Sequence, residues 1–195
     1  AGRPAYMAGP YLQRAAAAPV KDEALQLRLL CASAEAALSA EDYKKAMASA
    51  MDAVHINASD SRALIILADA RIHVADYEAA LRALATALDA LHGSEGPEVM
   101  RRCAVAHMLM AQAQERLRRY PQAFSEVQRA LEFDPHLIGA RIVRATALQQ
   151  SGQNSEASNE LEDVLKQDPS NTAALLRLGY VQLTLGNHLA AGDTL

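Results

Sequence analysis

Tryptophan is absent from this 195-residue chain, and aromatic residues of every kind make up only 4% of it. A core assembled from large stacked rings is therefore excluded. Cysteine occurs twice, at Cys31 and Cys103. The two fit no CxxC pattern and are too few for a disulfide framework, which points to a reducing, intracellular (cytoplasmic) setting. No apolar run approaches the roughly 20 residues of a membrane-spanning helix, so no membrane insertion is expected. Glycine-rich phosphate loops, zinc-ligand spacings and nucleophile elbows are missing as well. The expectation is a non-enzyme with no catalytic residue, no cofactor and no metal. A formal net charge of −4 sets the chain against nucleic acid, whose binding rests on phosphate neutralisation by Lys and Arg.

What the chain has instead is alanine, placed on a beat. Ala34, Ala68, Ala111, Ala145 and Gly179 follow one another at steps of 34, 43, 34 and 34 residues. Ala46, Ala80, Ala123, Ala157 and Ala191 keep the same register, as do Ala53, Ala87, Ala130 and Val164. A period of this size means a stack of supersecondary units, each burying its apolar face against its neighbours. Within each unit two helices are expected around a short turn. The turns are Glu41-Asp42-Tyr43, Ala75-Asp76-Tyr77, Arg118-Arg119-Tyr120, Gly152-Gln153-Asn154 and Gly186-Asn187-His188. Glycine takes the left-handed conformation at a helix end cheaply. Asp134-Pro135 and Asp168-Pro169 end second helices, because proline cannot continue them.

These residues resemble the tetratricopeptide repeat (TPR) family over residues 27–195. The resemblance implies an all-α, right-handed α-solenoid of antiparallel helix pairs. Its repeats would be 27–60, 61–94, 104–137, 138–171 and a truncated 172–195. The turn tyrosines Tyr43, Tyr77 and Tyr120 would wedge between helices. Where the family has a large aromatic early in the first helix, this chain has Leu30, Leu64, His107, Arg141 and Leu175. Of these, Arg141 makes the fourth repeat the poorest packer on paper.

Two segments stand apart from the beat. Residues 95–103 are inserted, and Gly93-Ser94-Glu95-Gly96-Pro97 reads as a loop leading into one long helix over 98–117, extended by about two turns and protruding. Residues 1–26 are punctuated by Gly2, Pro4, Gly9, Pro10 and Pro19 and read as an extended or flexible arm, with a helix starting near Lys21. Tyr6, Met7, Tyr11 and Leu12 give that arm apolar character beyond a linker's needs, enough to dock on the array or on a neighbour. The last repeat stops inside its second helix, without a polar cap, so the chain reads as a fragment of a larger protein.

The resemblance also implies which face binds. First helices would line a concave surface through their positions 2, 5, 6, 9, 12 and 13. Carried over, these give Ile65, Ile66, Asp69 and His73, then Met108, Leu109 and Gln112, then Ile142 and Val143, and finally Leu176 and Tyr180. An apolar row of this kind implies a protein partner, an amphipathic helix or apolar peptide held in the groove. The chaperone-tail carboxylate clamp of one TPR subfamily is not expected, because its positions hold Cys31, Glu35 and Ile66 rather than cations. Asp69 and His73, one turn apart, read as helix-surface partners rather than a metal or base site. The alternatives are a self-assembling homo-oligomer, or the substrate-recognition segment of a larger enzyme. The latter is disfavoured because no asparagine lies at a groove position.

Overall fold

The computed structural model describes residues 22–187, and all regular structure among them is helical. The helices are α1 (Glu23–Ser39), α2 (Tyr43–Ile56), α3 (Ser61–His73), α4 (Tyr77–Leu91), α5 (Pro97–Arg116), α6 (Tyr120–Phe133), α7 (Ile138–Gln150), α8 (Asn154–Gln167) and α9 (Thr172–Thr184). Each packs on the next, and each odd-numbered helix from α1 to α9 also packs on the following odd-numbered one. The result is an all-α solenoid. The arm residues Tyr6, Met7, Tyr11 and Leu12 lie outside the described residues, as does the end of the chain after Asn187.

Four of the nine described helix starts carry side-chain caps. Asp22 accepts from the Ala24 and Leu25 amides, Asp42 from Lys45, Asp60 from Ala63 and Asn171 from Ala174. Each satisfies an amide that the first helical turn leaves unpaired. Pro97 opens α5, where its missing N–H costs nothing.

Five helix ends share one turn. Asp42, Asp76, Arg119, Gln153 and Asn187 donate their amides to the carbonyls of Ala37, Arg71, Gln114, Leu148 and Gln182 at 2.8–2.9 Å. The residue before each donor has a positive φ: Glu41, Ala75, Arg118, Gly152 and Gly186. This is the Schellman arrangement, and only its last two copies use glycine.

Between helices the small residues do what their spacing implies. Ala34, Ala68 and Ala111 have no exposed surface, nor do Ala46, Ala80, Ala123 and Ala157. Backbones can approach closely there because no longer side chain separates them. Tyr43, Tyr77 and Tyr120 are half-buried first residues of α2, α4 and α6, and the Tyr43 ring stacks on His73 at 4.2 Å.

Two expectations are refined. Arg141 does not spoil the fourth repeat, because Glu160 of α8 accepts from its Nε at 2.6 Å and also holds Arg144. The long α5 has 20 residues against 13 in α3, about two extra turns. Those turns do not stand clear, since Arg102 Nη1 donates to Ser61 Oγ on α3 at 3.2 Å.

Candidate functional site

The odd-numbered helices α3, α5, α7 and α9 build a groove with a volume of about 580 Å³. Asp69, His73, Met108, Leu109, Gln112, Ile142 and Val143 all line it, so seven of the expected groove residues are brought together. Leu109 and Val143 form its buried floor, and Met108 and Ile142 are half-buried on its wall. Gly139 sits against Met108: a Cβ there would come within 2.5 Å of the Met108 sulfur, so the thioether fills the space the glycine leaves.

The remaining expected residues fall elsewhere. Ile65 and Ile66 line a smaller cleft of about 170 Å³ with Glu35, Arg62, Arg101 and Arg102, and both are buried. Leu176 and Tyr180 are the exposed pair, at 58% and 66%. The continuous apolar row is thus mostly consumed by packing between neighbouring first helices. A rise of 3.6 residues per turn turns position 6 further toward the next helix than a flat listing of positions suggests.

Polar groups instead dominate the rim. Tyr77, Glu115, Arg116 and Arg177 line the groove beside Asp69 and Gln112. Burial holds the Asp69 and Glu115 carboxyls above the usual carboxylate range, opposed by His73 at the first and by Arg177 and Arg116 at the second. Both acids are desolvated in the free protein, which makes them responsive to a donor arriving in the groove. Asp69 and His73 approach to 3.5 Å, and with Tyr43 stacked on the imidazole they form a fixed edge. Tyr77 reads from sequence only as a turn residue and is not expected in the groove, because it belongs to a second helix; its place just after the turn that follows His73 is the signal that locates it.

At the clamp positions the outcome is clear. Cys31 is buried, with its thiol pushed up to about 11 by burial and then by Asp60. Glu35 receives two hydrogen bonds from Arg62, both at 2.8 Å. No group of three or more His, Cys, Asp and Glu residues with metal-site geometry occurs among the described residues. No helix among them is long and apolar enough to cross a membrane.

Antiparallel helix pairs, small-residue contacts and a concave face lined by first helices define a helical-repeat interaction protein. The chain belongs to the tetratricopeptide repeat family, whose pattern it matches over residues 65–137 and 142–195. It is 32% identical over 112 residues to mouse Sperm-associated antigen 1, a match covering 57% of this chain and 11% of that protein. The chain thus spans about a tenth of the length of the curated relatives it matches. Among solved structures it resembles TTC0263, a thermophilic TPR protein of Thermus thermophilus, with TM-score 0.72, 17% identity and 91% of each chain covered. It also resembles YrrB, a TPR protein with an unusual peptide-binding site, with TM-score 0.57 and 19% identity over 95% of this chain and 89% of that one.

Proposed function

We propose that the chain is a non-catalytic scaffold that holds an amphipathic peptide segment of a protein partner across the α3–α5–α7–α9 groove. The observation that carries this reading is the groove's division. An apolar floor of Leu109 and Val143, flanked by Met108 and Ile142, faces a rim of fixed polar groups. Such a floor takes one or two apolar side chains, while Gln112, Glu115 and Arg177 read the polar groups of the segment carrying them. Methionine suits the wall because its unbranched thioether adapts to its contact.

The test must spare the packing. Ile66→Asp or Val143→Asp would bury a charge and report on folding, since both residues are buried. Gln112→Lys with Arg177→Gln alters the rim alone, without setting a second carboxylate beside Glu115. Peptides selected from a displayed library on the unaltered chain should bind that variant at least about tenfold more weakly, a loss of about 1.4 kcal/mol. Its circular dichroism and melting should stay unchanged. Equal binding by both proteins removes the groove from consideration.

A further inference from the structure

The insertion that breaks the repeat beat also builds a second cavity, on the other side of α5 from the groove. It has a volume of about 630 Å³, within the range of about 300–1,000 Å³ that sites for small ligands occupy. The end of α4, the 92–96 loop, the two extra turns of α5 and the end of α6 enclose it. Leu91, Cys103 and His107 form its buried floor; Val99 and Leu88 are half-buried, and Met100 and Phe133 stand exposed at its mouth. The His107 ring lies parallel to Phe133 at 5.8 Å and is fixed by Glu126, 2.7 Å from Nδ1. Solvent-facing apolar side chains gathered around a concavity mark a contact site.

The charge of the lining says what fits. Asp89 and Glu95 are its carboxylates, beside the imidazoles of His92 and His107, and no Lys or Arg among the described residues lines it. The groove, in contrast, balances Arg116 and Arg177 against Asp69 and Glu115, and the smaller cleft sets three arginines against Glu35 and Glu98. An apolar segment with basic flanks therefore fits this cavity better than the other two.

The chain supplies such a segment. Residues 1–21 contain no Asp or Glu; all 23 acidic residues follow them, whereas Arg3, Arg14 and Lys21 fall within them. Tyr6, Met7, Tyr11 and Leu12 lie between Arg3 and Arg14. Successive helices are antiparallel, so the start of α1, the end of α4, the start of α5 and the end of α6 share one edge of the array. From α1 across α3 to α5 is two interhelical spacings, about 20 Å. The residues between Leu12 and Asp22 can span about 35 Å when extended.

We propose that residues 6–12 of the same chain dock in this cavity, Tyr6 and Tyr11 filling its apolar mouth while Arg3 and Arg14 meet Asp89 and Glu95. The insertion then has a purpose of its own: it makes a seat for the N-terminal segment, independent of what the groove holds.

Cys103 in the cavity floor reports on occupancy, and Cys31, buried in another cluster, serves as the internal control. The full chain is alkylated under native conditions beside a Tyr6→Ser, Tyr11→Ser variant and an Asp89→Lys, Glu95→Lys variant. Both variants should expose Cys103 about tenfold faster, as expected when buried aromatic anchors are lost, with Cys31 unchanged. Protection in the unaltered chain should not change on dilution. Equal Cys103 rates in the unaltered chain and either variant overturn the proposal. Protection that fades on dilution overturns it too, by showing that the segment sits in a second copy.

Discussion

His107 and Arg141 stand one repeat apart, and so do the glutamates that hydrogen-bond to them, Glu126 and Glu160. One repeat earlier the same two places hold Leu64 and Ala83, both buried. The array thus closes the contact between first and second helix in two ways, one apolar and one polar. A hydrogen-bonded pair with side chains only 10% and 14% exposed, as in His107 and Glu126, gains little over an apolar pair, because desolvation offsets its attraction. Breaking it is different. Glu126→Ala leaves the His107 Nδ1 without its partner and should cost about 1–3 kcal/mol in urea unfolding. Copying the earlier repeat with His107→Leu and Glu126→Ala together should restore stability to within about 1 kcal/mol of the starting protein. If the double variant is as unstable as the single one, the two places are not interchangeable. Sequence reading singled out His107 and Arg141 as departures but not what compensates them. The compensating glutamate lies on the other helix, where it looks like any surface residue, and only its own one-repeat spacing betrays it.

At the scale of the element, the turns separate what a residue prefers from what packing imposes. Gly152 and Gly186 were legible as left-handed turn residues, whereas Glu41, Ala75 and Arg118 were not, yet all five share a positive φ. The Schellman bonds and the antiparallel return of the second helix fix that angle whatever residue occupies it. Nothing lies within 4 Å of where a Gly152 Cβ would sit. Gly152→Ala should therefore cost about 1 kcal/mol from backbone strain alone. Ala75→Gly should change stability by less and in the opposite direction, since relief of strain is partly cancelled by glycine's greater freedom when unfolded. Melting curves of the two variants check both signs. The groove was less legible than the turns for a related reason. Helix pairs and their boundaries follow from spacing, but which residues of a first helix stay exposed depends on what packs against it, which spacing does not contain. Ile65 and Leu176 are each the fifth residue of their helices, and one is 9% exposed, the other 58%.

Over the whole molecule the buried residues do not form one core. Leu64, Leu84 and Leu109 belong to a cluster spanning α3, α4 and α5. Leu161, Leu178 and Val181 belong to another spanning α7, α8 and α9. No buried residue is common to the two, and between them lies a small cluster of Ala111, Val127 and Val143. In a solenoid each unit answers mainly to its neighbours, so damage should stay on its own side of that narrow junction. Leu84 and Leu161 are almost wholly buried, and truncating either to alanine should cost about 2–5 kcal/mol locally. Hydrogen exchange should then accelerate through α3–α5 in Leu84→Ala while α8 and α9 keep their protection, and the pattern should reverse in Leu161→Ala. Equal acceleration everywhere would mean that Ala111, Val127 and Val143 couple the halves into one cooperative unit. The groove spans that same junction, with Asp69 and His73 on one side and Ile142 and Arg177 on the other. A segment lying across it would tie the halves together, so bound peptide should blunt the difference between the two variants.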